Sequence, residues 1–134
     1  MGSKADYLEN KLLDAVLGGP AFSLPANVYI ALFTTIPNEA GAGGVEVTGG
    51  SYTRAVVVSN ATNFPAASGS SKANGTEITF PQASADWGLI VAAGVFDALS
   101  GGNMLYIGTL TNNKQIDSGD TAKFPAGSIT VTED

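Results

Sequence analysis

Two carboxylates bracket part of the most apolar stretch of the chain, 85-ADWGLIVAAGVFDALSGGNMLYIGTL-110. Asp86 and Asp97 are the residue type that glycoside hydrolases use as acid and nucleophile. Their spacing of eleven residues, on an extended run, holds them roughly 30 Å apart. Glycosidase carboxylates sit within about 10 Å of each other, so this pair is unsuited to that chemistry. Turn roles fit better, with Asp86 capping the chain ahead of Trp87 and Asp97 accepting backbone N–H bonds at a hairpin.

Other chemistry is equally thin. The chain has no histidine and no cysteine, which removes the commonest bases, nucleophiles and transition-metal ligands. Residues 117–120, DSGD, look like a fragment of a calcium loop. They lack its spaced oxygens and bidentate Glu, so a turn built by Asp117 and Asp120 is the plainer reading, with cation binding there an open alternative. Residues 41–44, GAGG, are followed by no Lys and open no helix, which makes a poor phosphate loop. Asn60 and Asn74 each begin a glycosylation triplet, but no secretion signal accompanies them. The expectation is a non-enzymatic chain with no catalytic residue, no metal site and no cofactor. Trp87 is left as the conspicuous side chain. It could stack on a sugar, but the apolar run after it argues for the core or a subunit interface.

The elements around these residues read as mainly β. Residues 3–17 form the one helix, with Leu8, Leu12 and Val16 at i, i+4 and i+8 and Leu13 and Leu17 widening the stripe. Ser3 and Asp6 resemble a capping box, and Gly18-Gly19-Pro20 is a stop. Together with Trp87, these five aliphatics are the candidate interface residues. Residues 27–134 make the β domain. NVYIALFTT at 27–35, SYTRAVVVS at 51–59 and TEITF at 76–80 are strands. In the second, Tyr52, Arg54, Val56 and Val58 share one face and Thr53, Ala55 and Val57 the other. Residues 89–98 read as a central strand apolar on both faces, followed by a Ser100–Asn103 turn and a return strand at 104–110. Gly94 and Gly108 suggest a bulge or a close backbone approach. Residues 122–124 and 128–132 make a last pair. Residues 36–50 and 60–75 read as long exposed loops. A single domain spanning 1–134, a β-sandwich or Greek-key (jelly-roll-like) fold with one N-terminal α-helix, is the expected architecture.

Charge narrows the partners. Of 134 residues only 13% are charged, and the net charge is −6. Five scattered lysines and Arg54 form no basic stripe, so nucleic acid has no electrostatic foothold. An acidic chain with no long apolar run fits neither an anionic membrane surface nor a span. A surface so poor in charge suits protein–protein contact. Met1-Gly2-Ser3 has the look of a possible cloning scar.

YLENKLLDAVLG, VYIALFTT, GGSYTRAVV, ITFPQASADWGLIVAAGVFDALSGGNMLYIGTL and SGDTAKFPAGSITVTED together resemble a family of small tailed-bacteriophage virion proteins, commonly labelled tail fibre protein. The resemblance covers nearly the whole chain in order. It implies a virion structural protein assembled in the bacterial host cytoplasm, with no catalytic motif. A compact chain without repeats or a shaft suggests first a capsid decoration (cement) protein. Such a protein would bridge major capsid protein subunits and self-associate as a trimer or other small homo-oligomer. The alternative is a tail-fibre or baseplate component that binds a tail protein and touches the host surface. A carbohydrate-binding module is the alternative of another class.

Overall fold

The computed structural model describes residues 2–133. It is mainly β, with a mixed sheet and one short N-terminal helix, in keeping with a β-sandwich. In chain order the elements are β1 (Gly2–Lys4), α1 (Asp6–Val16), β2 (Asn27–Thr35), β3 (Val45–Glu46), β4 (Ala55–Val58), β5 (Ser71–Ala73), β6 (Ile78–Thr79), β7 (Gly88–Phe96), β8 (Met104–Ile116), β9 (Lys123–Phe124) and β10 (Thr130–Thr132). The large sheet runs β3-β2-β7-β8-β1-β10-β5, with β4 also paired to β2. β6 and β9 form a second, two-stranded sheet.

β7 is central, as its two-sided apolar pattern requires. It lies between β2 and β8 in antiparallel register, with Ala31 opposite Gly94 and Gly94 opposite Ile107. A Cβ on Gly94 would meet Phe96, Phe33 and Ile107 atoms at 3.1–3.3 Å, so the missing side chain lets those three pack over it. One sheet face buries Val28, Ile30, Leu32, Ala55, Val57 and Ile90 against Leu8, Ile78, Phe80 and Trp87. The other carries a smaller cluster of Ala5, Ala31, Phe33, Ala92, Met104 and Ile107.

Several sequence expectations change. The β region does not begin at residue 27, because residues 2–4 form β1, slotted between β8 and β10. The helix therefore starts at Asp6 rather than Ser3. Its N-cap is Ala5, which has no side-chain cap bond, and the Asp6 N–H donates instead to the Glu39 carbonyl at 3.0 Å. Ser3 donates its hydroxyl to Glu39 and caps nothing. Sheet pairing of residues 2–4 outweighs the capping box. The return strand β8 runs to Ile116 and not to Leu110. Its polar second half, 111–115, faces solvent, and Lys114, Gln115 and Ile116 pair with Ile90, Leu89 and Gly88 beyond a bulge.

The two long loops are less loose than their composition suggests. Residues 36–50 contain β3, bury Pro37, and fold back through Asn38, whose Oδ1 accepts the Ala42 N–H at 3.0 Å. Residues 60–75 contain β5, paired with β10. Asn74 is 3% exposed and ties this segment down, donating to the carbonyls of Thr76 and Pro125 and accepting from the Ile129 N–H.

The strand expected at 51–59 is half as long, and the reason shapes everything near it. β3 and β4 run the same way and both pair with β2: Thr35 opposite Val45, Phe33 opposite Glu46, Ile30 opposite Ala55 and Asn27 opposite Val58. They are two pieces of one edge strand, interrupted by residues 47–54. Within β4 the alternation holds, with Ala55 and Val57 buried and Val56 and Val58 exposed. Tyr52 and Arg54 do not share that exposed face, because they belong to the interruption.

Candidate functional site

The interruption leaves β2 short of ladder partners, and a backbone amide cannot be left dry without cost. Tyr52 supplies one. Its phenol oxygen accepts the Leu32 N–H at 3.0 Å, while the Leu32 carbonyl accepts the Val47 N–H at 3.1 Å. The same hydroxyl donates to Glu46 Oε2 at 2.7 Å. Arg54 then grips Glu46 with two parallel bonds, Nε to Oε2 and Nη2 to Oε1, each 2.9 Å. Its remaining Nη1 donates to the carbonyls of Ala98 and Gly101, at 2.9 and 2.8 Å, in the β7–β8 hairpin turn. The guanidinium lies 3.9 Å from the centre of the Phe96 ring. The sole arginine of the chain is thus 6% exposed and joins the interrupted edge to the hairpin tip.

Burial alone would raise the pKa of Glu46. The bonds from Arg54 and Tyr52 and the Arg54 charge outweigh it and hold the carboxyl below its ordinary value. Tyr52 is pushed the other way, by burial first and then by the Glu46 carboxylate it bonds. A carboxyl depressed in the fold contributes stability that is present above its ordinary pKa of 4.5 and is lost as pH falls through the lower folded value. Urea unfolding across an acid pH series is expected to show stability dropping below about pH 4.5, with a shallower drop in Glu46→Gln. Parallel curves for the two proteins would remove Glu46 as the group responsible.

Around this hub the surface is shallow. One depression of about 260 Å³ is lined by Phe33, Pro37, Gly44, Glu46, Arg54 and Gly101, among others. Another of about 180 Å³ lies beside it, with Tyr7, Glu39 and Asn103 on its wall. They share Gly41, Phe96, Gly102 and Met104. Open, glycine-edged hollows of this kind accommodate a partner's surface more readily than they enclose a small substrate.

The turn role expected of Asp97 holds, whereas Asp86 serves a different turn from the one expected. Asp97 Oδ1 accepts the Asn103 N–H at 2.7 Å and Oδ2 accepts its amide at 2.9 Å. Asp86 Oδ1 accepts the Ser118 N–H at 2.8 Å, so it caps the 117–120 turn rather than the one ahead of Trp87. The two stand at opposite ends of β7. Asp120 Oδ2 accepts the Asp117 N–H at 2.9 Å, which closes DSGD as a turn. Among the described residues, no three acids, histidines or cysteines gather as metal ligands would.

Trp87 is 5% exposed and belongs to the domain core. Its Nε1 donates to the Gly50 carbonyl at 2.9 Å, and Tyr52 meets it edge-on at 5.3 Å. Gly50 has φ +58°, and a Cβ there would lie 2.9 Å from that same nitrogen. No ring face of Trp87 is open to a sugar. Of the helix candidates, Leu8 is buried and Leu12 half-buried, whereas Leu13, Val16 and Leu17 are exposed. At 100° per residue, Leu13 and Leu17 lie about 140–180° around the helix from Leu8, so the five could not share one face.

Sequence reasoning missed Arg54 as a buried hub. The available signal was a lone arginine two residues after a tyrosine, just past a Gly pair, in a chain with little charge to spend on burial. No helix among the described residues is long and apolar enough to cross a membrane. The search of curated proteins returned no match. The family model described as podophage GP4 fiber I protein gp80 matches residues 3–132, which takes in the helix, both sheets and the Arg54 hub. A match of that extent, with the virion-protein resemblance running through the same blocks, means that the chain belongs to the podophage GP4 fiber I protein gp80 family.

Proposed function

We propose that this chain works as a single non-enzymatic domain of a tail fibre, on the exterior of the virion. The observation that carries the reading is the family match over residues 3–132, whose description is of a fibre protein. The site geometry agrees with it. The ionisable side chains nearest to catalytic types are spent on turns and on the Arg54 hub, and the shallow hollows beside that hub suit a partner surface. In this reading the end of the domain formed by loop 36–44 and the 97–103 turn faces outward toward the host, braced from beneath by Arg54. The capsid-decoration reading yields to this one, because the family description names a fibre.

The test is made on particles. Virions lacking the protein are expected to keep normal head stability on heating and to adsorb poorly to cells. Adding back purified protein during assembly should restore adsorption. Virions that adsorb normally but rupture at lower temperature would sink the fibre reading and restore decoration.

A further inference from the structure

Asn74 is the only asparagine of the chain that is followed by glycine. This is the pair of residues most prone to lose an amide without an enzyme. The backbone nitrogen of the glycine attacks the side-chain carbon Cγ, and no Cβ hinders its approach. The Gly75 N–Cγ bond forms, the Cγ–Nδ2 bond breaks, and Nδ2 leaves as ammonia with the proton of the Gly75 amide. Water then opens the cyclic imide. The product is aspartate, or its isomer in which the main chain runs through the side-chain carbon.

The fold opposes each of these steps. Asn74 is 3% exposed, so water is nearly excluded. Its carboxamide is held at both ends. Nδ2 donates to the carbonyls of Thr76 and Pro125, at 2.8 and 3.0 Å, and Oδ1 accepts the Ile129 N–H at 2.9 Å. The attacking nitrogen is engaged as well, since the Gly75 N–H donates to the Asn63 carbonyl at 2.7 Å. A Cβ on Gly75 would lie 2.5 Å from the Thr62 carbonyl oxygen, so the backbone here has no room to bend into a ring.

We propose that Asn74-Gly75 is a deamidation site sealed by the native fold, open to reaction only when β5 leaves β10, and that its product cannot return to the fold. The partners exclude the product. Aspartate presents a second oxygen where the carbonyls of Thr76 and Pro125 need a donor, and it buries a charge with the Ile129 N–H as its donor. The isomer lengthens the main chain by a carbon at the point where Gly75 already abuts Thr62. Each opening thus carries a risk that refolding cannot repair, and the lifetime of the domain becomes a matter of rate. β5 lies at the outer end of the large sheet and joins it only through β10, which makes this wing the element whose opening matters.

Peptide mapping by mass spectrometry tests this on the purified chain, held in mildly alkaline buffer with and without guanidinium chloride. Denatured chain is expected to convert at Asn74 to aspartate and its isomer. Native chain is expected to convert at least about 100-fold more slowly, because reaction waits for a rare opening. Gly75→Ala should convert far more slowly than the parent in denaturant, a comparison that does not require the variant to fold. Parent aged in denaturant should recover its far-UV circular dichroism on dilution only in proportion to the Asn74 that remains. Asn74→Asp, prepared directly, should not regain the native spectrum at neutral pH. Equal rates in native and denatured chain would overturn the proposal, as would conversion of Gly75→Ala at the parent's rate. So would a fully converted chain, or Asn74→Asp, that refolds to the parent's spectrum and urea midpoint. The measurements involve no particle, so their failure would leave the fibre reading standing.

Discussion

Trp87→Ala is expected to destabilise the protein by about 3–5 kcal/mol, the range for truncating a fully buried large aromatic. Three losses combine. The indole leaves a cavity that its neighbours cannot close, because Tyr52 on one side is pinned by Leu32 and Glu46. The edge contact with Tyr52 at 5.3 Å is removed. The Gly50 carbonyl loses its Nε1 donor at the point where residues 47–54 anchor to the core. Since Trp87 is the only tryptophan, urea unfolding has to be followed by far-UV circular dichroism rather than by its fluorescence. A variant that unfolds at the parent's urea midpoint would show that the indole is not part of the core.

Arg54→Ala should cost on the order of 3 kcal/mol or more, as expected when one partner of a buried ion pair is removed. The size comes less from the lost attraction than from what stays behind. Glu46 keeps a half-buried charge with only Tyr52 as donor, and the carbonyls of Ala98 and Gly101 lose their shared N–H partner. Arg54→Lys should recover little, because one ammonium cannot bond both Glu46 oxygens and both carbonyls in the planes that the guanidinium satisfies. Arg54→Ala combined with Glu46→Gln should lose less than the sum of the two single changes, since the stranded charge is gone. Strict additivity in that cycle, by urea unfolding, would show that the two side chains are not coupled.

What could be read from the sequence followed its periodicity. The β7–β8 hairpin was legible because a two-sided apolar run, a Ser-Gly-Gly-Asn turn and a second apolar run occur in immediate succession. The helix was legible as an element, but not its faces. Counting Leu13 and Leu17 into the stripe with Leu8 widened it beyond what 100° per residue permits, and their exposure went unseen. The polar half of β8 was illegible, because Thr111 to Gln115 are all exposed and carry no alternation. The Arg54 hub was illegible for another reason. Its partners lie 8, 44 and 47 residues away, and no local pattern announces a contact between an interrupted edge strand and a distant turn. Asp86 shows the same limit. Its role as a cap was readable, but the turn it serves lies 32 residues further on.

The placement of β1 bears on how the sheet comes together in time. Phe96 and Met104 pair across a turn of a few residues, whereas Lys4 reaches Glu133 across 129 positions of chain. That is about four doublings of the loop to be closed, or roughly 2.4 kcal/mol more entropy to overcome before the contact returns anything. Residues 2–4 also hold the sheet together laterally, since β10 and β5 join β8 only through them. The hairpin can form early and locally, with β2 and its broken edge added beside it. The β10–β5 wing reaches β8 only through the most distant closure in the molecule, the kind of non-local pairing that slows folding in general and that leaves a strand edge, here the β1 slot of β8, open until it is made.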